Sequence, residues 1–194
     1  MTKSFKKTIC SKAFYAVKSV SFEIPKNRVT ILLGHNGAGK TTIMSMITGI
    51  VAPSSGRISV DNEYDVNRYR SSIGYCPQHD VFISYMSCKE HLILFGRLRG
   101  LTKAEASEEA DIILDKVRLT KNANDAAKTL SRGMKRRLCL ACAVVGKTKM
   151  VILDEPSTGL DPESRRDLWD VILPLRNEQS LFLRQPIPQR KRMC

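Results

Sequence analysis

Residues 29–42 read VTILLGHNGAGKTT, and no other stretch limits so tightly what this chain can fold into. Val29 to Leu33 is a short apolar run, β-branched at its start, which suits a buried parallel strand. It ends at Gly34, and Gly34-His35-Asn36-Gly37-Ala38-Gly39-Lys40-Thr41 matches the spacing G-x-x-x-x-G-K-[ST] in full. Glycines in such a bend let the backbone take left-handed angles and turn its N–H groups inward. Thr41 and Thr42 then open a helix through Ile43, Met44, Met46 and Ile47, whose N-terminal dipole attracts anions. In this arrangement Lys40 reaches the β- and γ-phosphates of a nucleoside triphosphate, and the Thr41 hydroxyl holds Mg²⁺.

A second apolar strand, Met150 to Leu153, ends on Asp154 and Glu155. Two acids at a strand tip are costly to bury unless a metal or a water needs them. Asp154 suits the metal, and Glu155 the attacking water that phosphoryl transfer must position. Between the two strands, Gly74 to Gln78 reads as a strand tip carrying an amide, Gln78, able to touch both metal and water. Downstream, Ser131 is placed to cap a helix patterned by Leu138, Cys139, Ala141, Cys142 and Val145. Asp161 and Pro162 mark a further helix start. Thr102 and Glu105 form a capping box ahead of an apolar stripe, Ala106, Ala110, Ile113, Leu114 and Val117.

The order of these motifs resembles the nucleotide-binding domain of ABC transporters. Walker A corresponds to Gly34–Thr42, the Q-loop to Gln78, the signature to Leu130–Met134 and Walker B to Met150–Asp154, followed by a catalytic Glu155 and a D-loop at Ser157–Asp161. The stretches GHNGAGKTT, CPQHD and DPESRRDLW, the EHL helix, and Met134 where a signature glutamine is usual, are similar to subfamily A, most of whose members move lipids. The resemblance implies an α/β P-loop NTPase fold: a mainly parallel sheet core, a small antiparallel β-subdomain and a helical subdomain over about 80–130. It implies ATP and Mg²⁺ as cofactors, with Thr41, Gln78 and Asp154 at the metal, and hydrolysis coupled to transmembrane transport at the cytosolic face of a membrane. It also implies a second ABC ATPase domain facing this one head to tail, whose ATP would be covered by Ser131, Arg132 and Gly133. Transmembrane domains would dock on the surface from Asp80 to Tyr85. An upstream aromatic normally stacks on adenine; Phe5 sits where the family often has it, and Tyr15 is the alternative.

The 194 residues carry 32 Lys and Arg against 19 Asp and Glu, a net charge of +13. Such a balance invites nucleic acid or an anionic membrane surface. Aromatics are not interleaved with the basic residues, so a base-stacking surface is not expected, and runs such as Lys135-Arg136-Arg137 read as a solvated face. A soluble ABC ATPase acting on nucleic acid is the alternative from another class; a catalytically impaired nucleotide-binding fragment is a third. No apolar run approaches the roughly 18–20 residues that span a bilayer. Six cysteines show no pairing framework, and Cys139 and Cys142, spaced C-x-x-C, read as core thiols rather than metal ligands.

Two departures from the family pattern stand out. Arg132 replaces the first glycine of the signature. If that position needs a positive φ, the side chain is strained there; its guanidinium could instead attract the γ-phosphate held by a partner. The second is the ending. The domain is expected over 1–183 and an aberrant basic tail over 184–194, with Arg184, Arg190, Lys191 and Arg192 free of neighbouring acids in sequence. The family's switch histidine falls near Pro186, and no histidine stands there. Codons read one base on from Leu183 permit a histidine straddling Pro186 and Ile187, in a segment of the family's T-H-x-x-x-E-A-D shape. The expectation is therefore a frame slip in the tail, with a genuine basic tail that binds lipid headgroups or a partner as the rival; without the histidine, by analogy with a lost preorganised donor, turnover is expected to fall by ~10²–10³.

Overall fold

The apolar strands declare their two faces by alternation. The computed structural model, which describes residues 1–5, 14–79 and 81–186, places them in one parallel four-stranded sheet. In chain order its elements are β1 (Lys3–Phe5), β2 (Phe14–Val17), β3 (Val29–Gly34), α1 (Lys40–Ile47), α2 (Val66–Tyr69), β4 (Ile73–Cys76), α3 (Cys88–Leu98), α4 (Lys103–Lys116), α5 (Arg132–Val144), β5 (Met150–Asp154), α6 (Pro162–Leu175) and β6 (Ser180–Pro186). The main sheet runs β3-β6-β5-β4, and β1 pairs with β2 antiparallel in a small second sheet.

Successive side chains of a strand point to opposite faces. Along β5, Val151 and Leu153 join a core shared with α3 to α6, whereas Met150 and Ile152 join the core around α1. In β6, Leu181 and Leu183 lie on the first side and Phe182 on the second. Helices thus cover both faces, as a parallel sheet requires. The same parity carries two polar residues to the α1 side: Asp154 follows Ile152 by two, and Arg184 follows Phe182 by two. These residues face each other across the β5–β6 register.

The helix starts are those the sequence dictates. Ser131 accepts from Met134 N–H at 3.2 Å, and Asp161 accepts from Ser164 N–H at 2.9 Å with Pro162 in the first turn. Thr102 and Glu105 close the capping box, and Ser87 with Glu90 closes a second one that the sequence reading did not single out. The stripe from Ala106 to Val117 is buried throughout. The first helix begins at Lys40, one residue earlier than expected, because Gly39 already supplies the left-handed entry at φ 85°.

Two expectations need revision. The run Lys135-Arg136-Arg137 is not a solvated face: Arg136 is buried, and Arg137 is partly buried, donating to the carbonyls of Val117 and Arg118. Arg136 turns to carbonyls at the ends of β4 and β5, and Arg137 to those at the end of α4. Arg184 does have acids beside it once the chain folds, since β6 runs on past Leu183 through Pro186, paired with β3. Residues 187–194, with the tail cations Arg190, Lys191 and Arg192, lie outside the described residues, as do Lys6, Lys7, Cys10, Lys12, Asp80 and Cys194.

Among the described residues Cys76, Cys88, Cys139 and Cys142 are buried thiols outside any disulfide. Cys139 lies 3.3 Å from Cys76 on β4. Burial pushes Cys88 up to about 11 and Cys142 further in the same direction. β4 can approach α5 this closely because Gly74 has no side chain; a Cβ there would stand 1.9 Å from the Ala143 carbonyl oxygen. Gly74→Ala is therefore expected to destabilise the fold by about 1–3 kcal/mol or more. Urea denaturation checks this, and a wild-type midpoint in the variant would mean that the close contact is absent.

Candidate functional site

The loop after β3 is shaped by its glycines. Gly37 and Gly39 have φ of 80° and 85°. No Cβ fits at Gly39, where it would meet the Ala16 carbonyl of β2 at 2.3 Å, whereas nothing lies within 4 Å of one at Gly37. Gly37 therefore borders open space. No side chain caps α1, so its first N–H groups are left for an anion. Lys40 is buried, with Nζ donating to the carbonyls of Gly34 at 2.5 Å and His35 at 2.7 Å. An ammonium has three hydrogens, so this grip fixes its position at the loop and spares one for a phosphate oxygen. His35, Asn36 and Ala38 are exposed along the loop, which Ala38 N–H closes on the His35 carbonyl at 3.2 Å. Thr42 follows Thr41 in the first turn of α1.

Beside this loop the end of β5 presents Asp154 and Glu155, both buried. Glu155 has φ 47°, a left-handed conformation that a non-glycine residue adopts at a cost. The chain turns there, so the carboxylate leaves the sheet's alternation and swings toward Gln78. Gln78 Nε2 and Thr158 Oγ1 both donate to Glu155 Oε2 at 3.1 Å. Tyr75 donates to Asp154 Oδ2 at 3.4 Å. Burial pushes the Asp154 carboxyl above the usual carboxylate range; Arg184 works against that rise and the Glu155 charge adds to it. Burial likewise raises the Tyr75 phenol, with the Asp154 charge in support.

Arg184 and Arg136 hold this acid pair, and the sequence reading assigned neither to the site. Arg184 Nη1 donates to Thr41 Oγ1 at 2.8 Å and to Asp154 Oδ2 at 3.0 Å, while Nη2 donates to Glu155 Oε1 at 2.9 Å. Arg136, from α5, donates to the carbonyls of Asp154 at 3.0 Å, Pro156 at 2.6 Å and Pro77. It ties the Gln78 turn and the Glu155 turn to one helix. The signal for Arg136 was its place on the apolar stripe of α5 with Leu140 and Ala143. For Arg184 it was its parity with Phe182.

The structure therefore brings together Lys40, Thr41, Gln78, Asp154 and Glu155. Ser131, Arg132 and Gly133 lie at the start of α5 and make no hydrogen bond to the loop among the described residues. Arg132 is the first helical residue and has no positive φ, so the strain considered for it does not arise. Ser131 absorbs the turn as the cap, in extended conformation. The Arg132 guanidinium packs on Gly159, where a Cβ would stand 2.2 Å from Nη2. With Gln78, His79, Arg136, Thr158 and Leu160 it lines a small polar cavity of about 100 Å³. Phe5 is paired with Phe14 across the small sheet, 45% exposed, with Lys3 Nζ 5.1 Å from its ring. Tyr15 is 51% exposed and precedes Ala16, whose carbonyl abuts Gly39.

The donor set suits a hard cation. Thr41 Oγ1, the Asp154 carboxylate and the Gln78 amide all offer oxygen. Asp154 Oδ1 is buried without a hydrogen bond, although it lies 3.0 Å from Arg184 Nη1 as an ion pair. The oxygens are of the kind magnesium favours, but the Arg184 guanidinium already engages Thr41 and Asp154, so the set as it stands does not fit the ion. Among the described residues no group of three or more His, Cys, Asp or Glu side chains is placed to hold a metal.

Arg136→Met is expected to cost about 3–5 kcal/mol in stability, because it strands buried carbonyls on three segments. Chemical denaturation measures it, and a loss under about 0.5 kcal/mol, as at an ordinary surface site, would contradict the bracing role.

Comparison with known proteins agrees with this architecture. Residues 17–158 match the family model described as ABC transporter. The chain is 40% identical over 171 residues to the retinal-specific phospholipid-transporting ATPase ABCA4 of Homo sapiens, covering 87% of this chain and 8% of that protein. It is 42% identical over 173 residues to the glucosylceramide transporter ABCA12 of Mus musculus, covering 87% and 7%. It thus spans less than a tenth of the length of these relatives. The structure of cbiO1 from Clostridium perfringens, part of the ABC transporter complex cbiONQ, superposes with a TM-score of 0.83 at 27% identity, over 95% of this chain and 76% of that one. The chain belongs to the ABC transporter family, as a nucleotide-binding cassette homologous to the ABCA proteins.

Proposed function

We propose that this cassette binds ATP on the Gly34–Thr42 loop and hydrolyses it, driving a membrane-embedded partner that moves lipid. One observation carries the reading: the start of α1 after the glycine loop and the acid pair Asp154–Glu155 are joined through one side chain, Arg184, which bonds Thr41, Asp154 and Glu155. The loop amides, the start of α1 and Lys40 hold the phosphates. Glu155, oriented by Gln78 and Thr158, accepts a hydrogen bond from the attacking water and aligns it with the outermost phosphorus. Thr41, Asp154 and Gln78 bring oxygen to the place where a divalent cation would sit, and the Arg184 guanidinium stands there among them. Phe5, or Tyr15 beside the loop, stacks on adenine.

The assembly follows from what lies exposed. Ser131 and Arg132 stand at the open N-terminus of α5, where a second ABC ATPase domain, head to tail, would bring its own nucleotide. Val81, Ile83 and Tyr85 are exposed at every second position after the Gln78 turn, while Phe82 packs on His91. That apolar surface suits a helix of the transmembrane domains at the cytosolic face of the membrane. The names of the two ABCA relatives, one a phospholipid transporter and one a glucosylceramide transporter, support lipid as cargo. The inward-turned Arg136 and Arg137 weaken the case for a nucleic-acid partner.

Lys40→Ala is expected to weaken ATP binding at least about tenfold, the loss of one charge-assisted contact. Titration with a fluorescent ATP analogue measures it, and undiminished affinity would refute the phosphate site. Glu155→Gln is expected to retain ATP while slowing hydrolysis about 10²-fold or more. Equal phosphate release by both proteins would mean that Glu155 does not position the water.

A further inference from the structure

The strongest unexplained feature is the cation already seated among the acids. Arg184 reaches Thr41, Asp154 and Glu155 at 2.8–3.0 Å, and its side chain is only 12% exposed. Thr41 and Asp154 are two of the three groups whose oxygens suit a divalent metal, and one nitrogen, Nη1, bridges them. We propose that the Arg184 guanidinium is a resident substitute for the divalent cation, so that this chain binds nucleoside triphosphate without gaining affinity from magnesium. The inference rests on the phosphate site proposed above and specifies which cation accompanies the nucleotide there.

Three observations carry it. The first is placement: β6 pairs in parallel with β3 and β5, which fixes Arg184 opposite Asp154 and on the same face as α1. The guanidinium does not reach the site on a loose tail. The second is charge. Two buried carboxylates side by side need a positive partner, and Arg184 meets both with charge-assisted contacts. Its Nε is buried without a partner, a cost that three such contacts outweigh. The third is donor count. Nη1 spends both hydrogens on Thr41 and Asp154, while Nη2 donates once, to Glu155. The second Nη2 hydrogen is left for an acceptor such as a terminal phosphate oxygen. A divalent ion entering this space would meet a fixed positive charge on oxygens already engaged, and guanidinium cannot lose its proton to make way.

The test uses the full 194-residue chain and Arg184→Met, which keeps the bulk and removes the charge. Binding of mant-ATP is titrated in magnesium and in EDTA. The wild type is expected to change by less than about twofold between the two media, and Arg184→Met to bind about tenfold or more tighter with magnesium, the value of one charge-assisted contact. Manganese in place of magnesium gives an independent readout by electron paramagnetic resonance. The nucleotide-loaded wild type should take up no manganese in the site, and the variant should take up one ion per chain. A wild type that retains manganese, or gains from magnesium as the variant does, overturns the proposal, even if Arg184→Met fails to fold. No binding of mant-ATP by either protein in either medium would instead overturn the phosphate site itself, and this inference with it.

Discussion

Everything around the site answers to the burial of two carboxylates at the end of one strand. Asp154 and Glu155 are adjacent, both nearly inaccessible, and β5 delivers them to the interior side of the sheet. Two like charges taken out of water together are strongly unfavourable without positive partners and hydrogen-bond donors. The surrounding segments supply those donors: Arg184 from β6, Tyr75 from β4, Gln78 from the turn after it, and Thr158 from the turn after β5. They come from three stretches of chain, with Tyr75 and Gln78 on the same one, so the acids act as the point at which these stretches are brought into register.

The pair is also held from behind. Arg136 takes the backbone carbonyls of Asp154 and Pro156, on either side of Glu155, and so keeps the left-handed turn at Glu155 in place. The Glu155 N–H donates to the Arg184 carbonyl at 3.0 Å, which fixes the turn from the other side. Strain of this kind persists only where neighbours over-determine it. What the strain achieves is direction. With Asp154 kept on the α1 side and Glu155 turned toward Gln78, two consecutive carboxylates serve two different positions.

Much of this architecture was legible from local pattern. The loop at Gly34–Thr42, the strand ending in Asp154, and the caps at Ser131 and Asp161 are short-range signals, set by glycine angles, strand parity and side-chain capping. The roles of Arg136 and Arg184 depend on contacts far along the chain, with partners 18 to 59 residues away for one and up to 143 for the other. A run of three basic residues reads as solvated unless the helix face beneath it is worked out, and there Arg136 lies on the buried side. In sequence alone Arg184 reads as the start of a tail, because the irregular composition after Leu183 outweighs the two-residue period that continues through it. The assumed glycine-like angle at Arg132 failed for a related reason. A family glycine suggests positive φ, yet here Ser131 ends the extended segment and the helix begins at once.

The charges at the loop then decide what kind of ligand it favours. Asp154 and Glu155 contribute two negative charges, and Lys40 and Arg184 two positive ones, so the formal sum over the four is zero. The arrangement is not symmetric. The acids are engaged by donors on several sides, whereas Lys40 keeps a hydrogen free at the loop and Arg184 keeps one on Nη2. To this the uncapped start of α1 adds N–H groups and the positive end of its dipole. A polyanion approaching the loop therefore meets donors and positive potential first, with the carboxylates already matched behind them. Without Arg184 the same pocket would hold two acids facing the phosphates, and a mobile cation would have to join the nucleotide before it could bind. The side chain at position 184 thus sets whether the positive charge is part of the protein or arrives with the ligand.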